Sequence, residues 1–310
     1  MRKHVRINFA IAAFLFAGFF ANAQPVVQVA KWGEFGSKPG QFKFPTMIVA
    51  DKSSNIYVVD QHNHRIQKFD ANGNFILMWG RQGNGNGEFN YPYGIAIDSK
   101  GYVYISDMNN NRIQKFTDQG IFVASVGSYG SGDNQLKYPY GIAIDDKDVL
   151  YVIDAFNYCI KKFSSDLKFL SKWGSGESIG IKLYMPHEIV LTKDGNVLLS
   201  DRQNHRLTLF TKEGGLVKRF GEYGEGKDAK PGQFSEPHGL AVSSNGDIYV
   251  TDRYNFRVQK LNGSGQPQMQ WPTSGILEDD KYFPLGIAIA SDGSVFITDH
   301  YAHCIQKYKL

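Results

Sequence analysis

Two cysteines in 310 residues allow at most one disulfide, so covalent cross-links do little to hold this chain together. No nucleophile motif occurs: there is no G-x-S-x-G, no H-E-x-x-H and no phosphate-binding loop. No basic stretch is interleaved with aromatic residues in the way single-stranded nucleic acid requires. Beyond the first 23 residues there is no helical period, and no later apolar run long enough to cross a bilayer. These absences argue against helical folds, membrane spans and the best-known hydrolase chemistries.

The start of the chain reads as a secretory signal peptide. Arg2, Lys3 and Arg6 give a basic beginning, an apolar run from Ile7 to Phe20 follows, and Ala21-Asn22-Ala23 supplies a small-residue cleavage site ahead of Gln24. No cysteine stands at the cleavage point to carry a lipid anchor. Export to the periplasm or the medium is expected. Removing the three basic residues of this leader from the total of 34 leaves 31 Lys+Arg against 30 Asp+Glu. A net charge of +1 exerts no long-range pull on a phosphate backbone.

What is present is a repeat. Six segments begin at Pro45, Pro92, Pro139, Pro186, Pro237 and Pro284, at spacings of 47, 47, 47, 51 and 47 residues. The second shows the pattern: Pro92-Tyr93-Gly94-Ile95-Ala96-Ile97, then Val103 to Asp107, then Arg112 to Phe116, then Phe122 to Val126. Short β-branched and aromatic runs bounded by Gly, Asn and Asp are strands. Four strands repeated at this period are propeller blades, so the expected fold is an all-β, six-bladed β-propeller occupying residues 24–310. Trp32 lies 47 residues before Trp79, in the register of a fourth strand, whereas the chain stops at Leu310 just after a third strand. Val26 to Trp32 therefore completes the last blade and removes its unpaired edge.

Repetition separates scaffold from function. An Asp ends the second strand of every copy: Asp60, Asp107, Asp154, Asp201, Asp252 and Asp299. Asn follows three residues later in all copies but the last, where Ala302 stands, and Arg follows five residues later at Arg65, Arg112, Arg206 and Arg257. Asp and Arg are expected to pair across a hairpin, with Asn at a left-handed turn position. Gly94, Gly141, Gly239 and Gly286 permit inner strands to approach closely at the axis. Cys159 and Cys304 fall at the Arg position of opposite blades, too far apart for a disulfide, which needs Cα atoms within about 7 Å.

The run Asp60-Gln61-His62-Asn63-His64-Arg65-Ile66-Gln67-Lys68-Phe69 resembles the NHL repeat, and Asp201 to Arg206 reads similarly. No W-D or G-H signature recurs to suggest the WD type. The resemblance implies a binding platform, as in TRIM-type proteins, or the catalytic domain of a peptidyl-hydroxyglycine amidating lyase. It also implies that ligands meet the face bearing the loops into the inner strand and the loops between the second and third strands.

On that face, variable positions are the candidates. After each repeat proline stand Thr46, Tyr93, Tyr140, His187, His238 and Leu285, and the neighbouring loops add Arg202, Arg253, Tyr254, His300, Tyr301 and His303. Tyr and Arg are common binding anchors. As rim residues around an open funnel they would contribute little to folding, within about 0.5 kcal/mol. The competing explanation is that a solvated funnel tolerates polar residues. Zinc in the amidating lyase is held by three histidines in P-H steps that resemble Pro186-His187 and Pro237-His238. The third histidine is missing here, so no cofactor is expected, with zinc at His187 and His238 as the alternative. Phe220 to Pro237 spans 17 residues where the equivalent gaps span 13. The insertion, within Glu222 to Lys230, borders His238 and is a candidate flap.

The sequence thus points to an exported propeller presenting a Tyr/His/Arg-lined funnel to a peptide, glycan or small polar ligand. The alternatives are a metal-dependent lyase or hydrolase using His187 and His238, and an RNA-binding platform, which the near-neutral charge disfavours.

Overall fold

Each repeat begins by laying an apolar strand against the axis. In the second repeat Pro92–Ile97 and Val103–Asp107 are almost wholly buried, Arg112–Phe116 nearly so, and Phe122–Val126 alternates between half-buried and exposed. The gradient follows from hydrophobic continuity: inner strands are covered on both faces by neighbouring blades, whereas the outer strand is covered on one. The computed structural model describes residues 26–174, 183–273 and 283–310. Over these the chain forms six four-stranded antiparallel sheets arranged as the blades of a ring. The signal peptide expected over residues 1–23 lies outside the described residues.

The N-terminal strand Val27–Trp32 pairs antiparallel with Cys304–Lys309, from Val27 opposite Lys309 to Trp32 opposite Ile305. It is the outer strand of the sixth blade. Trp32 packs on Phe296 of that blade and on Phe69 of the first, with ring centroids 6.0 and 6.2 Å apart. It also covers Gly73, where positive φ and the indole leave no room for a Cβ. Trp79 and Trp173 cover Gly120 and Gly214 in the same way.

The repeated Asp is the hub of each blade. Asp252, wholly buried, accepts hydrogen bonds from Ser235 N at 2.8 Å, Asn255 Nδ2 at 2.8 Å, Arg257 Nε at 2.8 Å and Gln259 Nε2 at 2.9 Å. Asp60, Asp107 and Asp201 pair with Arg65, Arg112 and Arg206 at 2.7, 2.8 and 2.9 Å. The expectation for the hairpin asparagine is corrected. Asn63 does not take the left-handed position; His64 does, at φ 53°, and its counterparts are Asn111, Tyr158, His205, Phe256 and His303. Asn63 instead donates to Asp60 Oδ2 and to Gly36 O, joining the hairpin to the incoming loop. The left-handed residue has its own task. His64 Nδ1, His205 Nδ1 and His303 Nδ1 each accept the amide preceding a repeat proline in an adjoining blade, so these histidines are scaffold.

Cys159 and Cys304 are buried free thiols, and burial pushes both up to about 12. In the third blade Lys161 compensates for the missing arginine, with Nζ 3.1 Å from Asp154. The sixth blade places Gln306 there, with Nε2 3.3 Å from Asp299. Burial pushes Asp299 up to about 6, only partly offset by the amides of Ala302 and Phe283 and the charge of Lys31. A raised carboxyl stabilises the fold below its unfolded value and loses that contribution as pH rises through about 6. Asp299→Asn should therefore gain stability relative to wild type between pH 4 and pH 8, by about 1–3 kcal/mol. Melting temperatures across that range check it; a constant difference between the two proteins would refute the assignment.

Candidate functional site

The two loop sets share one face. Backbone bonds tie them together in every blade, such as His62 N to Lys43 O and Tyr254 N to Ser235 O. The inner strands start at this face and run down the axis in close contact. A Cβ on Gly141 would stand 2.8 Å from His187 O and 3.0 Å from Glu188 Cα, so glycine is needed there.

Tyr93, Tyr140, His187 and His238 come together at the axis as the sequence suggested. The expectation of an open funnel with exposed rim side chains is corrected: all four are 2–8% exposed and fill the axis. Neighbouring inner strands approach closely enough to bury these rings against one another. Tyr140 stacks between Tyr93 at 4.9 Å and His187 at 4.7 Å, and the two imidazoles lie 4.6 Å apart. Tyr93 reaches across the axis. Its hydroxyl lies 2.5 Å from His187 Nδ1 and 2.8 Å from His238 Nε2. Arg202 Nη1 lies 3.0 Å from His187 Nε2, and the same guanidinium is paired with Glu236. Arg253 reaches Glu236 at 3.4 Å and rests over the rings of Tyr254 and Phe283 at 4.9 and 5.7 Å.

Burial pushes both imidazoles well below their usual range, and the charges of Arg202 and Arg253 add to this, so both rings are neutral at physiological pH. Burial holds the Tyr93 phenol well above its usual range. His300 is also neutral, pushed down to about 4 by burial, and its Nδ1 lies 3.2 Å from Pro45 O. Tyr254 and Tyr301 stand further out. Tyr254 lines a cleft of about 360 Å³ with His205, Tyr223, Glu225, Ser235 and Glu236, whereas Tyr301 packs on Phe283 at 4.8 Å. The insertion forms one wall of that cleft: Glu222–Tyr223 pairs parallel with Gln233–Phe234, and Tyr223 packs on His205 at 4.7 Å.

Two residues escaped the sequence reading. Glu236 occupies the position before the repeat proline held elsewhere by Phe44, Tyr91, Tyr138, Met185 and Phe283. Glu188 occupies the position of Gly94, Gly141, Gly239 and Gly286, and burial pushes its carboxyl up to about 8, so it keeps its proton at neutral pH. Comparing copies at these two columns would have found both. The zinc implied by the resemblance meets no fitting set. Among the described residues no three His, Cys, Asp or Glu side chains gather as metal ligands, and His187 has both ring nitrogens in hydrogen bonds.

Comparison with known proteins agrees with this architecture. The NHL repeat model matches residues 234–261 and 282–308, and a model described as a 6-bladed beta-propeller matches residues 46–116. The chain carries NHL repeats and folds as a six-bladed β-propeller. The propeller is 42% identical over 52 residues to Protein brain tumor of Drosophila melanogaster, covering 17% of this chain and 5% of that protein. It is 42% identical over 67 residues to peptidylglycine alpha-amidating monooxygenase of Rattus norvegicus, covering 21% of this chain and 7% of that protein. The propeller therefore matches only a small part of either relative's length. Among solved structures, virginiamycin B lyase from Staphylococcus aureus superposes with a TM-score of 0.62 at 15% identity, over 91% of this chain and 98% of that one. A gluconolactonase from Xanthomonas campestris gives 0.68 at 14% identity, over 92% and 89%. Identities this low establish a shared fold alone.

Proposed function

We propose that this propeller is an exported binding protein that takes a peptide, glycan or small polar ligand on the loop-bearing face, with a polar end of the ligand at the axial cluster. The observation that carries this reading is the hydrogen-bonded chain Glu236–Arg202–His187–Tyr93–His238. Tyr93, His187 and His238 stand where other blades place Thr46 or Leu285, and Glu236 and Arg202 stand where other blades place Phe44 and Gln61, so the blade pattern itself does not call for these residues. The surrounding surface suits a ligand. Among the described residues every exposed aromatic side chain except Phe75 lies in these loops, Phe156, Tyr223 and Tyr301 among them. Aromatic faces bind sugar rings and peptide side chains at low entropic cost. The leader read from residues 1–23 supports a role outside the cytoplasm.

Screening the purified propeller against immobilised peptides and glycans, then repeating the best hit with Tyr93→Phe and Arg202→Gln, tests the reading. Each variant should bind at least tenfold more weakly, equivalent to about 1.4 kcal/mol or more. Tyr93→Phe removes the partner of two buried imidazoles and should also cost about 1–3 kcal/mol of stability. Affinity indifferent to Tyr93, Tyr140, His187 and His238 would place the working surface elsewhere. The enzymatic alternative, a metal-dependent lyase or hydrolase acting through His187 and His238, requires stoichiometric zinc in the purified protein. The RNA alternative requires affinity that falls steeply with salt.

A further inference from the structure

We propose that the axial cluster is an oxyanion site, in which His238 Nδ1–H and Arg253 Nε–H are held as unpaired donors for a carboxylate-type oxygen. The inference rests on the reading of this face as the binding face and adds the chemical class of the group bound.

The argument follows the direction of each hydrogen bond. A guanidinium only donates, so Arg202 Nη1 makes His187 Nε2 an acceptor. A neutral imidazole carries one proton, which is then on His187 Nδ1. That proton is donated to the Tyr93 oxygen, 2.5 Å away. The Tyr93 hydroxyl must direct its own proton to its other partner, His238 Nε2, at 2.8 Å. His238 therefore accepts at Nε2 and carries its proton on Nδ1. The neutrality this needs is supplied by burial and by the two nearby guanidinium charges.

His238 Nδ1 is buried and has no hydrogen-bond partner. Arg253 Nε is likewise buried and unpartnered. An unpaired buried donor forfeits its bond to water without replacement, so each one calls for an explanation. Both orphans here are donors, and their side chains belong to one connected group: Arg253 shares Glu236 with Arg202, Arg202 meets His187, and the His187 ring lies 4.6 Å from that of His238. What satisfies two donors beside a cation is an oxygen acceptor carrying negative charge. A divalent metal needs lone pairs, and this network turns every lone pair of the two rings inward. His187 Nε2 is taken by Arg202 and His238 Nε2 by Tyr93. The site implied here is thus the chemical opposite of a zinc centre.

Glu236 sets the arrangement. It grips Arg202 through two nitrogens but holds Arg253 by a single contact of 3.4 Å. Arg253 is accordingly left with its Nε–H unpaired, while Arg202 orients His187. Glu236 also lines the 360 Å³ cleft beside the insertion, which gives the ligand's remainder a place to lie.

The test uses the mature propeller labelled with nitrogen-15 in histidine. The ring nitrogens of His238 are observed by NMR during titration with sodium acetate, with neutral acetamide, and separately with zinc chloride. The expected result is a protonated Nδ1 on His238 that shifts saturably with acetate, at least tenfold tighter than with acetamide. Arg253→Gln should weaken acetate at least tenfold with little change in melting temperature. Arg202→Gln should release the fixed tautomer, so that His238 populates the Nε2–H form and acetate affinity falls. His238 found as the Nε2–H tautomer in the unaltered protein, equal affinity for acetate and acetamide, or saturable one-to-one zinc binding would each overturn the proposal. If acetamide or a neutral oligosaccharide shifts these resonances and acetate does not, the oxyanion assignment falls while the binding face stands. If no probe shifts them and screening hits ignore Tyr93, the reading of the face falls as well.

Discussion

Deleting Val27–Trp32 should lower the melting temperature by at least about 10 °C or leave the protein aggregated. The strand pairs with Cys304–Lys309 along its length, so its loss exposes a row of unpaired backbone groups on the sixth blade, a template for edge-to-edge association. It also removes Trp32, which bridges Phe296 of the last blade and Phe69 of the first. Removing a large aromatic from such a contact costs about 3 kcal/mol or more. In a domain of this size each kcal/mol moves the melting temperature by roughly 2–4 °C, and the lost strand pairing adds to the effect. Trp32→Ala alone should therefore produce a smaller drop than the deletion. Calorimetry of the three proteins decides the matter: unchanged unfolding after the deletion would mean that the ring does not depend on this closure.

Asp252→Ala should destabilise the propeller by about 3–5 kcal/mol. The carboxylate is wholly buried and gathers four donors from three segments. Removing it strands the buried Arg257 guanidinium, whose other bonds go to carbonyl or amide oxygens of Ala229, Lys230, Gln233 and Gln270. Breaking one side of a buried pair costs more than the pair contributes, because the remaining charge stays desolvated. The double variant Asp252→Ala with Arg257→Met should recover part of the loss. Denaturant unfolding reads both as a shift in midpoint at constant slope. A loss below about 1 kcal/mol for the single variant would refute the hub role.

The scaffold was legible because it repeats. Six prolines, six aspartates and the early Trp32 establish blade number, strand order and the closing strand, since a strand of period two with both faces covered has few other ways to bury itself. The Asp–Arg pairing followed from hairpin register. The hairpin asparagine was misplaced by one residue: Asn tolerates the left-handed region, but its side chain bridges two loops better from the position before. The compensation of Cys159 by Lys161, and its lack at Cys304, depends on which side chains face one carboxylate across a sheet.

The candidate site divides the same way. Comparison of the copies singled out Tyr93, Tyr140, His187, His238, Arg202 and Arg253, because a position that differs among otherwise equal blades is free of the blade's demands. Only the tertiary structure decided that these side chains close the axis instead of lining an open funnel, since ring closure brings together residues from four blades that sequence distance keeps apart. It also decided which polar atoms meet, and the proposed directions of these hydrogen bonds follow from that. A histidine's tautomer is set by what its other nitrogen meets, and for His238 that partner is a tyrosine 145 residues away, across the ring.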